Sequence, residues 1–427
     1  MSDSGSHVAV RRKLGFSTTA IHTGSHPDPS TNAVIPPIGL STTFAQSEIG
    51  TSKFEYSRSG NDTRERLETA LAALEQAKYG LAFSSGSAVT AALLDSLRGG
   101  HVVCGHDVYG GTHRYMTKVA NHKGLRTTFA NLADASVLRG LIREDTKAVW
   151  VESPSNPTLT LVDVREIVSV AKEVKSDIIV IVDNTFLSPY LSNPLLFGAD
   201  IVFHSVTKYI NGHSDVVMGA LVTNSDSLYE TLKFLQNANG AVPSPFDCFL
   251  AHRGLKTLSL RARTASESAL QLATYLSSSP SVLSVTYPGL PSHPQHLLTF
   301  KQHRMLNGRP LSGGMISFRI KGGAAAAEQF CYSTKFFTLA ESLGGVESLL
   351  EIPARMTHAG LTEEERLRAG VYGDLIRLSV GIEDVEDLIW DVEQAFAKVG
   401  ESVGEKEDGV VEVDSGIGSE TSSVMNV

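Results

Sequence analysis

Between residues 64 and 240, short aliphatic runs alternate with segments of helical period, and this alternation restricts the fold of the 427-residue chain more tightly than any other feature. The runs are YGLAF, HVVC, LRTTFA, AVWV, DIIVIVD, ADIVFHS and VVMGALV, with stretches such as VTAALLDSL and DVREIVSVAKEV between most of them. A strand buried on both faces reads as a continuous apolar run, and a helix between two such strands supplies the crossover that parallel pairing needs. The alternation predicts an α/β domain over 61–255 with a mainly parallel sheet and helices on both faces. Ligands of such sheets gather at the carboxyl ends of the strands.

The flanking segments differ. LSLRARTASESALQLATYL opens a second, smaller α/β domain over 256–398, with strands in VLSVTY, GMISFRI, FFTLAES and LIRLSVG and a last helix around DVEDLIWDVEQAFAKV. Residues 1–60 have no period and carry clusters such as HPDPSTN and VIPPIGLSTTF. They read as an extended arm that needs a neighbour to pack against. Residues 399–427 turn to Gly, Ser, Glu and Asp, a composition that cannot bury enough surface to offset ordering and reads as an acidic disordered tail.

Composition excludes several classes of function. No apolar run approaches the roughly 18 to 20 residues of a membrane-spanning helix, and MSDSGSHVAVRRKLGF lacks the apolar core of a signal peptide, so the chain is expected in the cytosol. Cys104, Cys248 and Cys331 are too widely separated for a disulfide framework or a Cys-x-x-Cys pair. Within a formal net charge of −9, residues 401–427 hold seven acids against one lysine, and no basic surface for a nucleic acid is in prospect.

Three strand ends carry candidate chemistry. DIIVIVDN delivers Asp183 where an aliphatic strand stops, a costly place for a carboxylate without a partner; an isolated Asp there would serve as a turn cap. ADIVFHSVTK delivers Ser205, Thr207 and Lys208 at a second end, where a lysine leaving a hydrophobic strand has no easy route to water. YGLAFSSGSAV is strand, Ser-Ser-Gly-Ser, then helix, which lets backbone approach an anion closely at a helix start. Together they describe a phosphate cradle (Gly86, Ser87, Ser205, Thr207), an amine (Lys208) and a buried carboxylate (Asp183). The phosphate, aldehyde and ring nitrogen of pyridoxal phosphate call for those partners. No G-x-G-x-x-G or G-x-x-x-x-G-K-[ST] occurs to grip a dinucleotide or nucleotide. His204 and His213 have no H-E-x-x-H or cysteine pair beside them, so no metal is expected.

FEYSRSGN, AFSSGSA, DVYGGTHRY, ESPSNPT, VDNTFLSPY, HSVTKYINGHSDVV, LAESLGGVESL and LIRLSVGIED give the chain, from about residue 15 to 398, a resemblance to the Cys/Met-metabolism pyridoxal-phosphate enzymes. The resemblance implies the fold type I, aspartate aminotransferase-like architecture, with a large mainly parallel-sheet domain and a smaller C-terminal α/β domain. It implies that Lys208 carries the cofactor as a Schiff base and shuttles protons, and that Asp183 keeps the ring nitrogen protonated. Tyr109 stacks on the ring, and Asn156 bonds its phenolic oxygen. By the same resemblance Tyr56 and Arg58 would reach the phosphate of a neighbouring subunit, which implies an obligate dimer with shared sites, and the family is typically a homotetramer, a dimer of such dimers. Arg377, assisted by Ser342, clamps the substrate's α-carboxylate. Glu55, Arg114 and Glu341 match positions that serve the distal charges of cystathionine in the branch of the family that cleaves its γ-carbon. The implied reaction converts L-cystathionine to L-cysteine, 2-oxobutanoate and ammonia. The alternatives are γ-synthase or β-lyase chemistry and a non-catalytic scaffold. One departure stands out: the family usually reads Asn-Pro-Thr where this chain has Asn61-Asp62-Thr63, which predicts a looser arm.

Overall fold

The computed structural model describes residues 14–360 and 362–407. All seven predicted runs are strands of one sheet: β1 (Tyr79–Phe83), β2 (Gly100–Gly105), β3 (Leu125–Ala130), β4 (Thr146–Glu152), β5 (Ile179–Asp183), β6 (Ile201–Ser205) and β7 (Gly219–Thr223). Their order is β1-β7-β6-β5-β4-β2-β3. Every pairing from β6 to β3 is parallel, whereas β7 runs antiparallel to both β1 and β6. Alternation within a strand splits the apolar side chains between two layers. Trp150 and Ile181 join one core with Phe83 and Phe203; Val149, Val151, Val180 and Val182 join another with Ile167.

The helices form for local reasons that the sequence carries. In Val164–Val174, Asp163 caps the first turn by accepting the Glu166 N–H at 3.2 Å, and Val164, Ile167, Val170 and Ala171 form the buried stripe. In Asp62–Leu74, Asn61 accepts the N–H groups of Thr63 and Arg64, and Leu67, Ala70, Leu71 and Leu74 face inward.

The second sheet joins β8 (Val282–Thr286), β11 (Met315–Ile320), β12 (Thr338–Leu339), β13 (Leu349–Glu351) and β14 (Leu375–Ser379) in the order β12-β13-β14-β11-β8, beside a small hairpin of β9 (Met305–Leu306) and β10 (Arg309–Pro310). Sequence period did not signal β9, β10 or β13, which are only two or three residues long. The helix Leu258–Ser278 bridges the two units: Leu258 and Ala262 pack with Tyr209 and Leu343, while Ala269, Leu272 and Leu276 enter the core of the second sheet. The last helix, Val385–Glu407, runs past residue 399, where the sequence reading began its acidic tail; residues 408–427 of that tail lie outside the described residues. Within the segment 1–60 read as an arm without period, Phe16–His22 is a short helix and residues 24–60 are mostly irregular and exposed; residues 1–13 lie outside the described residues.

Candidate active site

Strand ends and two loops converge on one cavity of about 340 Å³. The aliphatic run of β5 carries Asp183 into the interior, where Oδ1 accepts the N–H of Thr185 at 2.9 Å. Burial pushes its carboxyl up to about 6, against the opposing pull of Thr185 and His204. Glu152 ends β4 in direct register with Asp183. Its Oε2 accepts the Tyr109 N–H at 2.9 Å, and burial together with the Asp183 charge pushes it well above the usual carboxylate range.

β6 ends in Ser205 and feeds the turn that presents Lys208. Arg261, on the bridging helix, donates to the carbonyls of Tyr209 at 2.6 Å and Ile210 at 3.1 Å, and so fixes the backbone immediately after the lysine. Lys208 Nζ donates to Ser342 Oγ at 2.7 Å. Burial, and then the Arg377 charge, draw its pKa down to about 8, so far more of the amine is neutral near pH 7 than in an exposed lysine. Ser342 sits at φ 100°, a conformation that costs a non-glycine residue on the order of 1–3 kcal/mol. Its bonds to Lys208 and Arg377 hold it there. Two residues on, Gly344 has φ +75°, and a Cβ there would lie 2.7 Å from the Tyr209 nitrogen; only glycine lets this loop close on the lysine turn.

β1 leads into the helix Gly86–Ser96, whose cap Ser85 accepts the Ala88 N–H at 3.1 Å. Gly86, Ser87, Ser205 and Thr207 all line the cavity, as expected of a cradle. The Thr207 hydroxyl accepts the Met218 N–H at 2.9 Å and donates to its carbonyl at 3.2 Å. Arg377, in the middle of β14, is buried: Nη1 donates to Asn156 Oδ1 at 3.0 Å and pairs with Glu351 Oε1 at 2.9 Å, and Nη2 donates to the Ser342 carbonyl at 2.7 Å. The loop of Asn156 is tied to that of Tyr109 by Asp107, which accepts the hydroxyls of Ser155 and Thr158.

Of the predicted residues, Gly86, Ser87, Tyr109, Asn156, Asp183, Ser205, Thr207, Lys208, Glu341, Ser342 and Arg377 meet in this cavity. Tyr56, Arg58, Glu55 and Arg114 do not line it. Arg58 Nε donates to Asn237 Oδ1 at 3.2 Å and lies 5.2 Å from the Tyr56 ring, on the exposed arm with Glu55. Arg114 is exposed on the short helix Gly110–Tyr115. His204 Nε2 meets Glu75 Oε1 at 2.6 Å and His213 Nδ1 meets the Asn211 carbonyl at 2.8 Å; among the described residues no group of three or more His, Cys, Asp or Glu could hold a metal ion. Sequence reading missed Glu152, Thr185, Thr357 and Glu351. Glu152 ends the aliphatic run AVWVE much as Asp183 ends DIIVIVD, so its signal was present.

A sequence profile of the Cys/Met metabolism PLP-dependent enzyme family matches residues 17–397. The chain belongs to this family. It is 59% identical over 391 residues to cystathionine gamma-lyase of Saccharomyces cerevisiae, covering 89% of this chain and 97% of the relative. It is 50% identical over 384 residues to the Homo sapiens cystathionine gamma-lyase, covering 89% and 93%. The crystal structure of cystathionine gamma-lyase from yeast superimposes with a TM-score of 0.87 at 57% identity, covering 92% of this chain and 100% of that one.

The residues present fit the family's cofactor. Gly86 and Ser87 open an eleven-residue helix whose N-terminal N–H groups suit a phosphate. A Cβ at Gly86 would lie 3.3 Å from the Phe203 ring and 3.5 Å from Ser205 Oγ, so glycine leaves this part of the cradle less crowded. Lys208 offers a partly neutral amine to an aldehyde. Asp183, whose ionised form is penalised by burial, gains most from a cation beside it, such as a protonated ring nitrogen. Tyr109, half exposed, offers an aromatic face.

Proposed function

We propose that this chain performs the γ-elimination of L-cystathionine, releasing L-cysteine, 2-oxobutanoate and ammonia. The observation that carries this reading is one cavity lined by Arg377, Lys208 and Glu341: a cation for the α-carboxylate, an amine for proton transfer, and a carboxylate for the ammonium at the substrate's far end. High identity to cystathionine gamma-lyases from several organisms supports the same reading.

Pyridoxal phosphate, when bound, supplies the electron sink for charge developing at the substrate's Cα and Cβ. Gly86, Ser87, Ser205 and Thr207 would hold its phosphate, Asp183 its ring nitrogen, Asn156 its phenolic oxygen and Lys208 its aldehyde. The remaining work belongs to side chains. Arg377 holds the α-carboxylate through guanidinium donors that lysine cannot reproduce. Lys208 Nζ would take the proton from Cα, pass it on to the bound cofactor, and so be a free base again for the proton at Cβ. Tyr109, anchored through its N–H by Glu152, would assist the proton transfers, with its phenol as the donor to the departing thiolate.

We infer a homotetramer built as a dimer of dimers, in which Tyr56 and Arg58 complete a neighbour's site. The exposed arm supports this, with Val34 at 74%, Leu40 at 64% and Ile49 fully exposed. The cytosol is the compartment that three buried, unpaired cysteines fit best. Among the described residues, no helix is long and apolar enough to cross a membrane.

The test is product identification from L-cystathionine. Cysteine with 2-oxobutanoate supports the reading; homocysteine with pyruvate means β-cleavage. No turnover and no yellow chromophore in the purified protein would mean a scaffold.

A further inference from the structure

Glu351 and Arg377 face each other across β13 and β14, directly in register, and both are almost fully removed from solvent at 0% and 2% exposure. Glu351 Oε1 forms an ion pair with Arg377 Nη1 at 2.9 Å and accepts the hydroxyl of Thr357 at 2.9 Å. Nη1 donates to Asn156 Oδ1, and Nη2 donates to the Ser342 carbonyl. That leaves Nε, which has no partner, and one hydrogen of Nη2. Two neighbouring donors of a guanidinium are what a carboxylate accepts bidentately. Glu351 Oε2 also has no partner, so this carboxylate is not there to satisfy its own hydrogen bonds.

We propose that Glu351 is a positioning residue for substrate binding: it anchors Nη1 of Arg377, so that the Nε side of the guanidinium is presented to the substrate's α-carboxylate, and it acts as the arginine's standing counter-ion. The inference rests on the reading that Arg377 binds that carboxylate. It adds a specific trade. A buried arginine with no counter-ion is costly, and breaking such a pair destabilises a protein strongly. The same negative charge repels the arriving carboxylate, so Glu351 exchanges some substrate affinity for a fixed, neutralised arginine. Geometry and charge therefore pull affinity in opposite directions, and two substitutions separate them. Glu351→Gln keeps an oxygen that accepts from Arg377 and Thr357 but removes the charge. Glu351→Ala removes both.

The experiment uses the cofactor-loaded enzyme and measures the Kd of propanoate, which has a carboxylate and no amine, as a competitor of substrate. It compares wild type, Glu351→Gln, Glu351→Ala and Arg377→Leu. Glu351→Gln is expected to bind propanoate more tightly, by about tenfold if the lost charge acts like a one-unit pKa perturbation. Glu351→Ala is expected to bind it more weakly than Glu351→Gln. Turnover should follow the same division, with KM for the amino-acid substrate falling in Glu351→Gln and kcat falling more in Glu351→Ala. A merely structural glutamate would weaken both variants alike. Unchanged or weaker binding in Glu351→Gln, with Arg377→Leu clearly impaired, overturns the proposal and leaves Arg377 as the clamp. Unchanged binding in Arg377→Leu overturns the proposal and the carboxylate-binding reading together. If Glu351→Ala does not fold, the comparison of Glu351→Gln with wild type still decides.

Discussion

Glu152 lies directly across from Asp183 in the parallel register of β4 and β5; burial raises the cost of ionising both carboxyls, and the Asp183 charge adds to it at Glu152. Asp183 in the folded protein titrates at about 6, above the ordinary value near 4, so its ionisation costs stability. Stability that depends on neutral Asp183 is complete below about pH 4 and is lost as pH rises through about 6. In the cofactor-stripped protein, Asp183→Asn should therefore match the parent near pH 4 and exceed it near pH 7, by on the order of 1 kcal/mol or more. In the loaded enzyme the order should reverse if Asp183 pairs with the ring nitrogen as proposed, because the variant loses that charge. Denaturant titrations of both forms at several pH values check this. A stripped variant less stable than the parent at pH 7 would contradict it.

Lys208 provides a second pH signature. Burial and Arg377 lower its pKa to about 8, so the neutral amine is lost as pH falls through that value. The rate at which stripped protein takes up pyridoxal phosphate should rise with pH and level off above a midpoint near 8. Arg377→Gln should move that midpoint upward, toward the ordinary lysine range. Reduction with borohydride followed by peptide mapping should place the label on Lys208, and Lys208→Ala should carry none. A midpoint near 10 that ignores Arg377 would remove the electrostatic account.

The large sheet was legible because buried parallel strands impose an unbroken apolar run, and Asp183 and Lys208 were legible because polar groups rarely end such runs without a task. Glu152 carried the same mark, but alone it lacked a second group to give it meaning. Glu351 was not legible. It belongs to a three-residue strand with no period, and its partner Arg377 enters on the next strand of the sheet. Thr357 was hidden for a similar reason, since its contact with Glu351 exists only once the loop after β13 has folded back. The boundary near residue 255 was approximate because a single helix, Leu258–Ser278, serves two cores, and no change in its composition marks where one ends.

Asp62, the departure from the family's proline, changes meaning in the structure. It occupies the first turn of Asp62–Leu74 and pairs with Arg66 Nε at 2.6 Å, while Arg66 Nη1 reaches the Gly24 carbonyl at 3.3 Å. The part of the arm that carries Tyr56 and Arg58 is held elsewhere, by Arg64 donating to the carbonyls of Ser57 at 2.8 Å and Arg58 at 3.1 Å, and by Asn61 donating to the Gly39 carbonyl at 2.8 Å. Asp62→Pro exchanges a partly exposed ion pair, about 0.3–0.5 kcal/mol, for a comparable restriction of the unfolded chain, about 0.4–1 kcal/mol. Thermal stability and subunit dissociation constants should change little. Arg64→Ala removes buried, charge-assisted bonds worth about 1.5–3 kcal/mol each and should weaken both. An Asp62→Pro variant that associates much more tightly would restore the looser-arm expectation from sequence.

Tyr56 and Arg58 stand outside the cavity of their own chain, on an arm whose apolar residues face solvent. If they complete a neighbour's site, a chain lacking Arg58 and a chain lacking Lys208 damage different halves of a shared site. In a hybrid dimer, one site receives both defects and the other receives neither. Arg58→Ala and Lys208→Ala, each nearly inactive alone, should recover activity when dissociated together and reassociated. With random pairing, half the dimers are hybrid and each has one intact site, so about a quarter of wild-type activity is expected. The readout is steady-state turnover of the remixed sample, with each variant taken through the same cycle alone as the control. Recovery near zero, with hybrid dimers demonstrated by a tag on one chain, would mean that each chain builds its site without its neighbour's arm.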